Sequence, residues 1–450
     1  MRVRIADLAT RVCYYLLIAT CALTPWAELL RWEVLPEGRA GQRGVTTLLA
    51  ILVIVIGLAS GKAIRALLEQ PHLLFYGGFV VLASLATLAL LEPRPAVLAA
   101  SSYLGYWLLA VSVASLQLDG RRAVTLVLVF GLSTALMALV TLIDYFGLYR
   151  VPGFNEGIAY FQGRDVLVRA LTGTFQLRTG FAVFMAAATP LCLAYLVVHK
   201  PKFTPVWFIF LAAFAILLIA SVAAYTRALY VAILLSFLYV ASLVTRKRAG
   251  TLKMVFGLVV LVTASWLLLQ LLVPREMEVV WGIIERFHPE YITRTRGDMV
   301  RWEALVNTID DLRRSPLGMG FTMYEAYSGR GLLEVHSIYV AHLRAGGYLG
   351  LLCTALFMWP VLKAIFRRLP PGMMPVYSSL VGLLVYGAMH ETSSMLFAWV
   401  SLGLVYGALR AQRAGQLGPE ALGRSRPQLR NNGLAPVLPW RRSIANVPRP

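Results

Sequence analysis

The segment "EVHSIYVAHLRAGGYLG", residues 334–350, sets His336, His342 and Arg344 into a run that otherwise reads as the start of an apolar helix. An ionisable group is costly where lipid replaces water, so each of the three needs a reason to be there. A histidine that is neutral at pH 7 can still accept a proton, which suits a general base or a group that orients a hydroxyl. His336 stands at the edge of the run. Tyr339, Val340, Leu343 and Gly347 follow it at helical spacing, so they share its face. His342 faces another side and reads as an interior histidine hydrogen-bonded to a neighbour, and Arg344 as a charge paired inside a helical bundle. Gly346, Gly347 and Gly350 strip the same helix of bulk, so that a backbone or a substrate can come close.

Arginine supplies the second kind of chemistry. A guanidinium grips phosphate oxygens in a planar fork, whereas a lysine ammonium acts as a point charge. Residues 274–335 hold eight arginines (275, 286, 294, 296, 301, 313, 314 and 330) and no lysine. Most of these read as solvated loop residues. Arg296 and Arg301, with Arg294, stand apart because they fall at the start of an amphipathic stretch, "GDMVRWEALVNTIDDLRRSPLG". A helix start carries free N–H groups and a partial positive charge, so arginines there add to an anion site. Arg227, in "AAYTRALYVAILL", lies where an apolar helix leaves the membrane, and an unpaired charge there is expensive. The competing reading is a side chain snorkelling to the interface. Arg178 follows "GTFQL" at the start of another apolar run, and His390 and Glu391 fall in the last short loop, "HETSSM". The acidic residues have no metal-ligand spacing. Neither a Walker motif nor a GxGxxG after a strand occurs, which argues against an ATP- or nucleotide-sugar-driven reaction; no metal, no other cofactor and no nucleic acid is expected.

The elements that must position these groups are membrane helices. The chain has 450 residues, is 58% hydrophobic and only 14% charged, and has a mean hydropathy of +0.69. Soluble domains average about 25% charged residues. Apolar stretches fall near 12–30, 44–60, 72–91, 96–118, 123–148, 177–198, 206–224, 228–244, 254–273, 337–360, 373–389 and 396–410. The expected fold is an all-α integral membrane protein of about twelve transmembrane helices. The basic start of the chain reads as part of an uncleaved first helix. With the N-terminus inside, the links "GKAIRALLEQ", "DGRR", "HKPKFTP", "TRKRAG" and "KAIFRRLPPG" are cytoplasmic and basic, and all six lysines fall on that side. An even helix count returns the C-terminus to the cytoplasm. Residues 1–411 form the membrane domain, including a large, partly helical cap loop, 274–335, between helices nine and ten. Amphipathic helices are expected at Val280–Phe287 and with Trp302, Leu305, Ile309 and Leu312 on one face. Residues 412–450 form a basic tail rich in Pro, Gly and Arg, expected to be disordered and to lie against anionic headgroups. Cys13, Cys21, Cys192 and Cys353 read as small apolar packing residues.

"HSIYVAHLRAGGYLG" resembles the signature of the O-antigen ligase and polymerase superfamily. The ligase pattern H-[NSQ]-x9-G-x-x-[GTY] fits His336, Ser337, Gly347 and Gly350, with Ser337 where asparagine is commoner. An R-x3-L pattern fits Arg301 to Leu305, and also Arg313 to Leu317. "LTGTF" (171–175) is similar to a G-T-F element, "AYTRA" (224–228) to an S/T-R-G/A element and "SPLGMGF" (315–321) to a P-L-x-G-x-G-F turn, in the superfamily's order. "QLRTGFA" stands where NPN-like text is frequent.

The resemblance implies a GT-C-like membrane glycosyltransferase with a periplasmic active site. It would move a glycan from undecaprenyl diphosphate to a hydroxyl of lipid A–core, without metal and with inversion. His336 and Arg227 would be catalytic, and Arg296, Arg301, Arg178 and Tyr339 would bind diphosphate or glycan. The implied partners are the lipid-linked glycan, lipid A–core, membrane lipids and other polysaccharide-assembly proteins. The implied location is the bacterial inner membrane. A Wzy-type O-antigen or exopolysaccharide polymerase is the alternative within the superfamily. A transporter or flippase of polyprenyl-linked glycans is the alternative of another class. Asp144 is the main deep acid available to such a transporter.

Overall fold

The structure, a computed structural model, describes residues 2–33, 42–90, 93–155, 159–162, 167–175, 178–198, 204–244, 278, 281–282, 296–321, 324–325, 332–333, 337–366, 371–390, 392 and 395–413. The helix expected at 254–273, the amphipathic positions Val280, Ile283, Ile284 and Phe287, His336, Glu391 and the tail from 414 lie outside these residues.

The helices are α1 (Arg2–Leu23), α2 (Val45–Ala59), α3 (Lys62–Glu69), α4 (Pro71–Leu90), α5 (Pro93–Ser115), α6 (Gly120–Tyr145), α7 (Arg178–Val198), α8 (Pro205–Ala223), α9 (Arg227–Val244), α10 (Arg296–Arg314), α11 (Ile338–Phe366), α12 (Met374–Gly387) and α13 (Leu396–Arg413). Among the described residues, three two-stranded antiparallel hairpins punctuate the loops: Arg31–Glu33 with Gln42–Gly44, Ala159–Gln162 with Leu167–Ala170, and Tyr324–Glu325 with Leu332–Leu333. Among the described residues, six helices are long and apolar enough to cross a membrane. They become seven if α2 and α3, bent by 78°, count as one span. Lipid offers no partner for backbone polar groups, so an apolar chain closes its own ladder as helix.

Burial separates the helices that face lipid from those that face protein. The α8 span has a mean hydropathy of 2.7, yet only 33% of it is buried, and Val206, Phe208 and Ile209 are about half exposed. A helix apolar on its uncovered side has lipid for a solvent. In contrast, 78% of the α7 span is buried, including every residue from Phe181 to Ala188. Apolar burial gives helices in lipid little reason to associate, so close van der Waals approach through small residues must hold them. A Cβ on Gly382 of α12 would stand 2.0 Å from the Ala186 carbonyl oxygen of α7, and one on Gly403 of α13 would stand 2.6 Å from that of Ala110 in α5. All four cysteines are buried thiols within this packing.

The bundle has two chemically different ends. At one, Lys62 Nζ donates to Thr10 Oγ1 at 2.7 Å, Arg410 pairs with Glu69, and the Arg122 guanidinium lies 5.8 Å from the centre of the Tyr14 ring. The start of the chain, the α2–α3 link, the α5–α6 link and the end of α13 therefore meet there. These are links that the positive-inside rule groups on one side. The starts of α7, α9 and α11 gather at the other end.

The helix expected at 337–360 is not one straight rod. α11 breaks at Gly347 (φ 59°, ψ −149°), a conformation that only glycine enters without strain. A Cβ on Gly350 would lie 2.8 Å from the His342 carbonyl oxygen, and Tyr76 touches both His342 and Phe357. Fifteen residues of straight helix would hold those two about 22 Å apart. The chain thus folds back at Gly347, and the face shared by Tyr339, Val340 and Leu343 ends before it.

Candidate functional site

The break in α11 frees backbone groups that lipid cannot satisfy, and the 315–321 turn satisfies them. In an unbroken helix Tyr348 N–H would bond to the Arg344 carbonyl. Here Tyr348 N–H donates to Pro316 O at 3.2 Å, while Arg344 O accepts from Met319 N–H and Ala345 O from Gly320 N–H, both at 2.9 Å. The turn comes so close that a Cβ on Gly347 would stand 1.9 Å from Pro316 O. Phe321 N–H donates to Thr87 Oγ1 at 2.7 Å, and its ring stacks on Tyr103 at 3.8 Å. The two glycine-rich motifs are therefore two halves of one joint. What approaches the bare glycines is backbone from the cap, with the Phe79 ring against Gly346 and Gly350.

Arg344 is buried and pairs with Asp311 of α10 at 3.4 Å, so its partner is on the cap helix and not in the bundle. His342 is buried between two hydrogen bonds. Its Nδ1 donates to Ile338 O at 2.7 Å, since a carbonyl only accepts, which leaves Nε2 to accept from the Tyr76 hydroxyl at 2.7 Å. That fits the interior histidine read from the sequence. On α10, expected as an amphipathic helix, Leu312 is buried and Leu305 partly so, whereas Trp302 and Ile309 of the same apolar face are 67% and 44% exposed.

A second knot ties the loop after α6 to the G-T-F element. Asn155, in a left-handed conformation (φ 53°), is its centre. Its side-chain oxygen accepts from Thr172 and Gly173 N–H, both at 3.0 Å. Its amide donates to Thr141 O at 3.1 Å and to Asp144 Oδ2 at 2.9 Å, and its own N–H donates to Gly173 O at 2.7 Å. Asp144 also accepts from Val151 N–H at 3.0 Å and faces Arg169 at 3.4 Å. The deep acid thus sits at the far end of α6 as the anchor of a loop. Leu171 N–H in turn donates to Ala223 O at 3.2 Å, joining this element to the end of α8. The sequence signal for this knot was a lone Asn in the turn-forming "PGFNEG", and the reading above passed over it.

Arg227 follows directly. Tyr225 has φ 47° and Thr226 is buried, so the chain turns sharply between α8 and α9, with half-buried Arg227 as the first residue of α9. Arg178 is the first residue of α7, and its guanidinium donates to the Tyr225 carbonyl at 3.5 Å. Arg296 opens α10, with Arg301 further along it, and the side chains of both lie outside the described ones. Three of the four arginines singled out by sequence therefore stand at helix starts. The helix dipole disfavours a cation there by about 0.3–1 kcal/mol. An anion bound between dipole and guanidinium reverses that sign.

The start of α11 reaches the same neighbourhood. The Tyr386 hydroxyl of α12 donates to Thr179 O, next to Arg178, at 3.0 Å. A Cβ on the adjacent Gly387 would be 3.2 Å from Ile338, two residues past His336. The buried His390 ring stacks on Tyr386 at 4.8 Å. Tyr339 is 37% exposed, and its hydroxyl donates to Leu384 O at 3.2 Å, which leaves the ring face for contact. Arg178, Arg227, His390 and the residues after His336 thus share one end of the bundle.

No protein-family model matches the chain, and no curated protein sequence matches it. The likeness to the O-antigen ligase superfamily rests on the short sequence motifs alone.

Proposed function

We propose that this protein is a membrane glycosyltransferase of the O-antigen ligase type, with a GT-C-like bundle of twelve spans and both termini cytoplasmic in a bacterial inner membrane. The observation that carries the reading is the meeting of two helix-start arginines, Arg178 and Arg227, with the G-T-F turn and the start of α11. A polyprenyl diphosphate placed there meets cations and helix dipoles directed at the charge that develops as it leaves. His336, beginning the segment that enters α11, takes the proton from the acceptor hydroxyl. The hydroxyl oxygen then bonds to the anomeric carbon from the face opposite the diphosphate, and the carbon–oxygen bond to diphosphate breaks with inversion. Arg296 and Arg301 add charge from the cap, and Tyr339 offers a ring face to the lipid or glycan. The acceptor is a hydroxyl of lipid A–core.

A null strain, with its surface polymer and carrier-linked polymer resolved on gels, tests this. Full-length polymer kept on carrier and missing from lipid A–core supports the ligase. Single repeats on the core indicate the polymerase. Normal polymer on the core refutes both. Arg227→Ala and His336→Ala, at wild-type expression, should each lose the product, and wild-type levels in both would remove the site.

A further inference from the structure

Between α2 and α4 the chain makes a short detour through α3. α2 runs along the bundle, since Cys13 of α1 approaches the Val53 carbonyl and a Cβ on Gly57 would stand 2.9 Å from Ser112 Oγ of α5. α3 turns away from it by 78°, after Gly61 takes the left-handed conformation (φ 68°) that the corner needs. Eight residues of helix are about 12 Å long, so at this angle α3 advances only ~2.5 Å along the axis of α2. It therefore does nothing to cross a bilayer. Joined directly to membrane helices at both ends, it cannot leave the membrane surface either.

The sequence of α3 divides into three edges. Ala63 and Ala66, with Gln70 just beyond, are buried against the bundle, and Gln70 Nε2 donates to Tyr406 O of α13 at 2.9 Å. Ile64, Leu67 and Leu68 form one flank, with Ile64 55% and Leu68 74% exposed. Lys62, Arg65 and Glu69 form the other flank.

The neighbours decide what covers the apolar flank. Ile51 and Val55 of α2 and Leu74 and Phe75 of α4 are exposed, so this flank is joined at both ends to helices whose outer side chains already face lipid. The polar flank selects the kind of lipid. Arg65 Nε donates to Glu69 Oε1 at 2.7 Å, and Arg410 pairs with the other oxygen of that carboxylate. Two guanidiniums sharing one carboxylate leave positive charge over. A phosphate diester balances that surplus, whereas a zwitterionic headgroup brings its own cation with it.

We propose that α3 lies in the plane of the membrane interface, with Ile64 and Leu68 among the acyl chains and with Lys62 and Arg65 holding the phosphates of anionic phospholipids. Neither half of this depends on what reaction the other end of the bundle performs.

Bimane attached at Leu68→Cys, in purified full-length protein in lipid nanodiscs, tests both halves. The four native cysteines are buried, so the unsubstituted protein should take little label. Phospholipids with dibrominated acyl chains should quench the bimane strongly, and aqueous iodide weakly. Ile64→Cys, one turn away, serves if Leu68→Cys does not fold. In discs of equal phosphatidylglycerol and phosphatidylcholine, bromine is then carried on one lipid at a time. Quenching should report phosphatidylglycerol enriched at least about fivefold, the factor that one cation near an anionic surface contributes. Lys62→Gln with Arg65→Gln should abolish the enrichment, and if that pair fails to fold by size exclusion, Arg65→Gln alone should at least halve it. Iodide quenching above bromolipid quenching puts the flank in water, and quenching by neither puts it under protein, a second copy included; either result would overturn the inference. Equal quenching by the two bromolipids, or enrichment that survives the substitutions, would overturn it as well.

Discussion

Replacing Asn155 by alanine tests the knot that holds the G-T-F turn. The substitution removes the oxygen that takes two buried N–H groups, Thr172 and Gly173, and the amide that bonds Thr141 and Asp144. Each buried N–H left without a partner costs about 1–3 kcal/mol. An alanine in the left-handed region adds about 1–2 kcal/mol. Water entering the opened loop returns part of this, so local stability should fall by ~4 kcal/mol. At 1.4 kcal/mol per tenfold, the open population of the turn rises roughly a thousandfold. Thr172 reports it well, because its side chain is fully buried and its hydroxyl has no partner among the described residues, so Thr172→Cys is a mild reporter. Maleimide labelling of that cysteine in purified protein should accelerate by about the same factor when Asn155→Ala is added. Asn155→Gly relieves only the backbone strain, so it should recover about tenfold of the protection and no more. A rate increase below tenfold for Asn155→Ala would show that the knot does not hold the turn. Wild-type glycan attachment by a strain carrying it would show that holding the turn is irrelevant to the proposed activity.

Other consequences can be checked separately. Gly347→Ala sets a Cβ against Pro316 O and forces a positive φ on an L side chain, so the yield of monodisperse protein should collapse on fluorescence-detected size exclusion, whereas Gly78→Ala, where a Cβ meets nothing within 4 Å, should be silent. Asp311→Ala strands the buried Arg344 charge and should destabilise by about 3–5 kcal/mol, while Asp311→Ala with Arg344→Met should be milder than Asp311→Ala alone; the reverse order in denaturant titrations would disprove the pairing. His342→Leu orphans the Tyr76 hydroxyl and should cost about 1–3 kcal/mol, and adding Tyr76→Phe should recover most of it with glycan attachment retained, as expected of a structural histidine.

The helices were legible because a run of apolar residues has few alternatives in lipid. Eleven of the twelve expected stretches correspond to observed helices, with ends shifted by a few residues or more, and the twelfth lies outside the described residues. Two features escaped for physical reasons. What covers the apolar face of α10 escaped because apolar periodicity shows which residues avoid water, not whether protein or lipid covers them; Trp302 and Ile309 are apolar and exposed. The break in α11 escaped because a run of glycines is equally compatible with a smooth helix that lets neighbours close in. Only the partner turn, some thirty residues upstream, decides between these. At the site, Arg178 and Arg227 were legible as costly charges at helix ends. Asn155 was not, because an isolated polar residue in a loop carries no periodic signal, and its worth comes from four groups scattered over thirty residues.

The exchange of bonds at Gly347 also sets an order of assembly. The turn that caps the Arg344 and Ala345 carbonyls precedes them in the chain, so it leaves the ribosome before the elbow at Gly347 does. The elbow can then complete its backbone bonds only by docking onto a segment already synthesised. A protein whose cap was held back would therefore release a bare, half-bonded helix into the bilayer, and quality-control proteases would meet that defect before any question of catalysis arose.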